Sequence, residues 1–378
     1  MPSKRTIIDH LKNIRGWKTR RNLVAFAVDD YGSMRTASRE AWKHLDSAGL
    51  NVSNQMDRFD ALETREDLGA LFEVLESVRD VNGRAPVFTA YALSANPDCE
   101  RMRCDEGSYC SETTSRTFQR LAAEQPAAYE GAWSLWQEGM AKGLIRPQFH
   151  GREHVNVEML EMKLAARAPD LLANLQCASM AGLVPEPSLP GVGFTHAFGL
   201  HLKESLPAHR QILEDGLNQF EQVWGFRSDT FTPPAQKLHP SLYPVAEAGG
   251  VVSIDKPLRC ARAMGDGTSR SEVNRSGRQK GQDHVTVVRN VVFEPCKDMG
   301  FEPVGRALDQ IQAAFFWGRP AVISSHRVNF GGHLDEPNRQ RGLDALSRLL
   351  QSIVARWPEV EFVSVDQLVR EMDRKAAA

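Results

Sequence analysis

A chain of 378 residues, 42 % of them hydrophobic, can bury a substantial core and is long enough for two ordinary domains or one large α/β domain. Its 46 Lys plus Arg against 48 Asp plus Glu leave a net charge of -2, which gives no reason to expect nucleic acid as a partner. No stretch approaches the roughly 20 consecutive apolar residues of a membrane-spanning helix, and six cysteines are too few to frame so long a chain with disulfides.

The start, Met1 to Arg21, is basic but has no apolar segment before Leu23. It reads as an N-terminal extension and not as a secretory signal, so a cytoplasmic address is expected. From Asn22 the run Leu-Val-Ala-Phe-Ala-Val is continuous and apolar and stops at Asp29-Asp30-Tyr31-Gly32-Ser33, as a buried strand does where it meets a functional loop. Ala85 to Ala92 reads as the next strand. Between them Ala41 and Leu45, then Leu68, Leu71, Val74 and Leu75, recur at helical spacing, which makes a strand, helix, strand unit of a parallel sheet. Trp133, Trp136 and Met140 mark another helix, better read as core packing than as a cofactor box, and Leu144 to His150 follows as a strand.

The alternation continues with a helical stripe from Ile212 to Val223, then Phe226 to Phe231, and the apolar run Val251 to Ile254. The polar stretch 262–283 reads as a surface loop near the site, and Val285 to Val292 as one strand. A helix through Leu308, Ile311, Ala314 and Phe315, a strand from Pro320 to Ser325, an amphipathic helix from Leu343 to Val354, Val360 to Val365 and Gln367 to Met372 complete the chain. Repeated units of this kind predict an α/β barrel or wound sheet, as a single domain over 22–378.

In such folds the functional groups stand at the C-terminal ends of the strands. Four ends carry polar chemistry: Asp29-Asp30, His150, Thr232-Pro233-Pro234, and His326 after Ser324-Ser325. His150 and His154 are spaced i, i+4, which puts both on one face if the segment is helical and lets both reach one metal ion. Two carboxylates ending an apolar strand are costly to bury unless a cation pairs with them. One can then ligate while the other takes a proton from water that the cation acidifies; alternatively, both cap the next helix. His326 is placed to protonate a leaving group. The cluster Cys99, Cys104 and Cys110 lacks a CxxC pair and a nearby fourth ligand, so no zinc site is built on it.

These motifs, in this order, resemble those of the NodB-like polysaccharide deacetylases, carbohydrate esterases that remove acetyl groups from sugars. Val28-Asp29-Asp30 is similar to the first motif, His150 through His154 to the second with Gly151 at its second position, Phe231-Thr232-Pro233-Pro234-Ala235 to the third, and Ile323-Ser324-Ser325-His326 to the last. The resemblance spans roughly residues 22 to 370 and lies nearest the long polysaccharide (de)acetylase members. It implies a NodB-like distorted (β/α) barrel with insertions near 98–125, 180–207 and 262–283. It also implies Asp30, His150 and His154 as ligands of one divalent metal, Asp29 as general base, His326 as general acid, and Pro234 with Ala235 at the oxyanion position. Asn96, Arg152 and Arg327 are expected to meet the substrate.

Two departures stand out. Thr232 replaces the arginine that holds the catalytic base in the family, so its role falls to another cation, with Arg152, Arg259 and Arg327 as candidates, or is absent. The Asp-rich fourth motif is represented at best by Asp255, so the group that orients His326 is open. His196, His201 and His333 read as solvated loop residues. The expected activity is hydrolytic removal of acetyl groups from an N- or O-acetylated sugar or polysaccharide. Zinc is the first choice of metal, and cobalt, nickel, manganese and iron also fit two His and one carboxylate. Hydrolysis of another non-peptide amide, or non-catalytic carbohydrate binding, are the alternatives.

Overall fold

The strand that opens the sheet shows how these residues build the molecule. In β1 (Leu23–Tyr31) every residue is buried. Its side chains divide by parity: Val24, Phe26 and Val28 join the large cluster under the outer helices, while Leu23, Ala25 and Ala27 join a smaller one inside the curled sheet. A strand covered on both faces must be apolar at every position, which is why the run is continuous and not alternating. The computed structural model describes residues 4–55, 57–104, 108–279 and 281–374.

Nine further strands complete the main sheet: β2 (Phe88–Leu93), β3 (Ile145–Gly151), β4 (Thr230–Phe231), β5 (Ser253–Asp255), β6 (Gly277–Arg278), β7 (Val285–Val287), β8 (Val291–Val292), β9 (Ala321–His326) and β10 (Glu361–Phe362). The order is β6-β7-β5-β4-β3-β2-β1-β9-β8, with β10 beside the start of β1. All pairings are parallel except β6 with β7. Long helices cover the outside, among them α1 (Lys4–Asn13), α2 (Arg39–Ser47), α3 (Arg65–Glu76), α4 (Ala132–Ala141), α5 (Leu206–Trp224), α6 (Pro303–Phe316) and α7 (Glu336–Arg356). Leu368, Val369 and Met372 of α8 (Val365–Arg374) fill the interior with Val322, Val285 and Val287. This is the distorted (β/α) barrel with insertions that the sequence leads one to expect.

Two expectations are corrected. Val285 to Val292 is not one strand but two short ones, β7 and β8, which pair with β5 and β9 on opposite sides of the sheet path. The polar segment at 288–290 crosses between them, because Arg289 and Asn290 are drawn into side-chain bonds with distant strands. The stretch 262–283 is not only a loop: Arg259–Ala263 pairs antiparallel with Ser269–Val273 as a hairpin, followed by β6. Residues 105–107 and 280, within two of the expected insertions, lie outside the described residues.

Local chemistry fixes the ends of elements near the site. Thr64 and Asp67 exchange side-chain and backbone bonds in a capping box that starts α3. Gly342 lets α7 press on the turn after β9, since a Cβ there would fall 1.7 Å from the Asn329 carbonyl oxygen.

Candidate metal centre and catalytic cleft

Parity alone points Asp29, His150 and His326 toward the barrel interior, because they continue the inward series of β1, β3 and β9. Asp30 should by the same rule face outward. Instead β1 bulges there: its register with β2 shifts between Val28 and Tyr31, and Asp30 has φ 74°. A left-handed residue at a bulge turns the next side chain back, so both carboxylates enter the same cleft. β3 shifts register at the same level, with Gly151 at φ 134°. The two bulges re-aim the chain where the candidate ligands sit. Neither aspartate caps a helix.

Asp30 Oδ1 lies 3.2 Å from His150 Nε2 and 3.0 Å from His154 Nε2. All three residues are buried, and they form the one group among the described residues that could hold a metal ion. His150 and His154 do not share a helix face as proposed from their spacing. His150 ends β3 and His154 lies in the following turn, before the next helix begins at Val157.

His150 Nδ1 is 2.7 Å from the Thr232 carbonyl oxygen. Because a carbonyl only accepts, Nδ1 donates to it, which leaves Nε2 facing the Asp30 carboxylate. Two imidazole nitrogens and a carboxylate oxygen, buried and within 4.8 Å of one another, make a donor set that fits a divalent metal. Burial opposes ionisation of Asp30, yet His154 and His150 hold its carboxyl well below the usual range. Burial also drives His154 below its ordinary value despite Asp30, which leaves a neutral ring able to ligate. His154 Nδ1 is buried without a partner among the described residues.

Asp29 lies beside this group and is gripped by Arg289, which donates from Nη1 to Oδ2 and from Nη2 to Oδ1, both at 2.7 Å. The same guanidinium donates from Nε to Asp255 Oδ2 at 2.6 Å and from Nη2 to Thr232 Oγ1 at 3.0 Å. One side chain thus joins the ends of β1 and β5, although three strands separate them in the sheet, which measures how tightly the sheet curls. Burial raises the Asp29 carboxyl, but Arg289, with His150 and His326, outweighs it and keeps it below the usual range.

His326 completes the cleft. Its Nε2 stands 4.0 Å from Asp29 Oδ2, and its Nδ1 is 2.5 Å from Glu294 Oε1. Asn329 Nδ2 donates to the other Glu294 oxygen at 2.8 Å. Burial alone would push the imidazole down, but Glu294, aided by Asp30 and Asp29, carries it up to about 9. Ala235 and Gln236, both at φ 53°, form a strained hook along the rim. Ala235 lines the cleft, and its N–H is used by no hydrogen bond among the described residues.

The cleft holds about 490 Å³. Phe194 and Thr195, from the expected insertion at 180–207, wall it on one side, with the Arg35 guanidinium 5.3 Å from the Phe194 ring centre. A second cavity of about 350 Å³ adjoins it across Pro233, Ala235 and Gln236.

Several residues expected at the substrate lie elsewhere. Arg327 is fully buried beneath the cleft, donating to Glu63 Oε2 at 2.8 Å, to the Ser33 carbonyl at 2.7 Å and to Asp60. Arg152 is engaged by Glu153 and Asp215 on the α5 side, outside the cleft. Asn96 spends its amide on Met34 N–H, the Gly32 carbonyl and Thr117, pinning the chain after β1. Pro234 is buried behind the hook and Ala235 alone of that pair faces the cleft. Arg259 lines the second cavity. The arginine that holds Asp29 is Arg289, not Arg152, Arg259 or Arg327, and the carboxylate on His326 is Glu294, with Asp255 bound to Arg289 instead. A sequence signal existed for both: Arg289 is a charged residue inside an apolar run, and Glu294 directly follows Val291-Val292-Phe293. His196 accepts from the Gly193 N–H, and His333 Nε2 lies 3.2 Å from the Ala37 carbonyl oxygen; neither lines the cleft.

No protein-family model matches the sequence, and no curated protein sequence matches it. Among solved structures the chain is similar to a Mycobacterium smegmatis protein described as a polysaccharide deacetylase, with 12 % identity, 96 % of this chain and 94 % of that one covered, and a TM-score of 0.47. It is similar to a Pseudomonas aeruginosa PAO1 protein so described, at 11 % identity, 94 % and 92 % coverage and a TM-score of 0.47. It is also similar to the PuuE allantoinase, at 11 % identity, 98 % and 97 % coverage and a TM-score of 0.47.

Proposed function

We propose that this chain is a metal-dependent hydrolase that removes acetyl groups from an N- or O-acetylated sugar or polysaccharide, with one zinc ion held by Asp30, His150 and His154. The observation that carries the reading is the joint geometry of three pairs at one cleft: Asp29 on Arg289, His150 on Thr232, and His326 on Glu294. Arg289 favours an ionised Asp29 and Glu294 a protonated His326, the states that acyl hydrolysis needs in its base and its acid. The Phe194 ring at the wall offers an apolar platform for a sugar face, and the adjoining cavity leaves room for a second ring.

A bound divalent cation would supply Lewis acidity toward the acyl oxygen and toward water. Asp29, ionised and held from behind by Arg289, accepts the proton of the attacking water. Ala235, which lines the cleft, supplies its N–H to the oxygen that becomes negative. His326, protonated at neutral pH, gives its Nε2 proton to the departing nitrogen or oxygen, and Glu294 stabilises the imidazolium before transfer. Arg289 on Asp29 favours this reading over non-catalytic carbohydrate binding or assembly, which metal-stimulated hydrolysis of an acyl substrate would dismiss.

The test is metal analysis of wild type and of His150→Ala/His154→Ala, in parallel with acetate release from acetylated sugars. About one metal per chain, lost with activity in the variant, is expected. Asp29→Asn should keep the metal and lose turnover. Full acetate release by Asp29→Asn, or unchanged metal content in the histidine variant, would overturn the assignment. Turnover of other amides with no acetate release would move the substrate to the alternative amide class.

A further inference from the structure

Helix α1 is inside out. Its polar residues Asp9 and Asn13 are 2 % and 3 % exposed, whereas Ile7, Ile8, Leu11 and, just beyond its end, Ile14 are 48 %, 53 %, 60 % and 42 % exposed. The buried side is held by polar bonds. Arg306 and Gln310 of α6 donate to Asp9, Asn290 donates to Asn13 Oδ1 at 2.8 Å, and Arg319 donates to the carbonyls of Asn13 and Ile14 at 2.8 and 2.6 Å and to that of Gly16. A helix that meets only water turns its apolar stripe to the protein. Here the ion-paired face fixes the helix in the opposite rotation, so the apolar stripe is presented outward by design of the contacts.

The stripe does not stand alone. Phe316, 66 % exposed, sets its ring edge-on to His10 with centroids 5.1 Å apart and enlarges the patch. The segment that carries it is basic: Arg5, Lys12, Arg15, Lys18, Arg20 and Arg21 lie between residues 5 and 21, against the single acid Asp9, which Arg306 and Lys12 already engage, and of these cations Arg21 is paired with Glu361 and Glu371. Arg15, Lys18 and Arg20 are exposed.

We infer that this face binds an anionic lipid surface, with Ile7, Ile8, Leu11, Ile14 and Phe316 entering the acyl boundary and the flanking cations resting on the headgroups. The combination of an apolar stripe and a basic border is what interfacial helices use, the one part by area and the other by charge. A second copy of the chain is the poorer occupant, because a two-fold pairing of this patch would bring its cations against their own copies. The inference does not depend on the catalytic reading.

The experiment is co-sedimentation of the full chain with vesicles of phosphatidylcholine alone and of phosphatidylcholine with phosphatidylglycerol, at low and high salt, beside light scattering for oligomeric state. Binding to the anionic vesicles that weakens at high salt is expected, with a loss of about tenfold or more in Ile8→Glu/Leu11→Glu and again in Arg15→Glu/Lys18→Glu. These side chains are outside the core, so both variants should melt as wild type does. Absence of binding to either vesicle, or equal binding to both that ignores salt, overturns the inference. A dimer that Ile8→Glu/Leu11→Glu dissociates overturns it in favour of a second copy.

Discussion

Replacing Arg289 by Met tests the electrostatic centre of the site. The guanidinium is 6 % exposed and balances two carboxylates, Asp29 at 11 % and Asp255 at 0 % side-chain exposure. Removing one partner from a buried ion network costs about 3–5 kcal/mol, because the remaining charges lose their compensation. Unfolding entropy near 2.1 cal/mol/K per residue over 378 residues is about 0.8 kcal/mol/K, so the loss should appear as a fall in Tm of about 4–6 °C. Without Arg289 burial dominates: the Asp29 carboxyl rises above its unfolded value and that of Asp255, already raised by burial, rises further. The deficit is then fully present at neutral pH and shrinks as the pH falls through the raised pKa, where one carboxyl takes a proton. The double variant Arg289→Met/Asp255→Asn should recover about half of the stability or more, since one uncompensated charge is gone. It should not recover activity, which falls by roughly 10² to 10³ when the base is no longer held ionised. Thermal melts across pH and acetate-release kinetics on both variants provide the measurements. A single variant melting within about 1 °C of wild type at pH 7, with its acid limb unmoved, would refute the reasoning.

Glu294→Gln removes the main support for the His326 proton. Wild-type kcat should stay high until the pH rises through about 9, where the imidazolium is lost, and the variant's basic limb should move down toward the ordinary histidine range, costing on the order of tenfold at pH 8 and little at pH 6. Arg327→Leu takes the cation from Glu63 and leaves Asp60 with Arg35 alone beneath the cleft, and should lower stability by about 3–5 kcal/mol in denaturant melts. The folded fraction should keep its metal and its KM, as a buried positioning residue would and a substrate-contacting one would not. Removing the metal with a chelator should lower Tm and restoring it at about 100 times its Kd should return about 2.7 kcal/mol, read by calorimetry; a melt indifferent to chelation would speak against a bound ion.

What could be read along the chain was whatever obeys a local period. Continuous apolar runs declared strands buried on both faces, spacings of three and four declared the covering helices, and strand parity turned Asp29, His150 and His326 inward. Asp30 escapes that rule because a bulge, set by register with β2, reverses its direction, and the i, i+4 spacing of His150 and His154 suggested a helix where a strand end and a turn do the same work. Arg152, Arg327 and Asn96 stand close in sequence to functional residues, yet each turns its polar group to partners outside the cleft. Proximity in sequence does not decide which side of a turn a side chain takes.

Arg289 lies inside, and Glu294 just beyond, a segment that one apolar run made look like a single strand. Only the curling of the sheet separates its two halves and carries Arg289 across to Asp29, Asp255 and Thr232 at once. Residue type and order along the chain determined which groups are available for chemistry. Which carboxylate meets which cation depends on barrel closure and on the burial it imposes, since an ion pair between residues 260 positions apart exists only when the intervening strands bring both ends into one dry cleft.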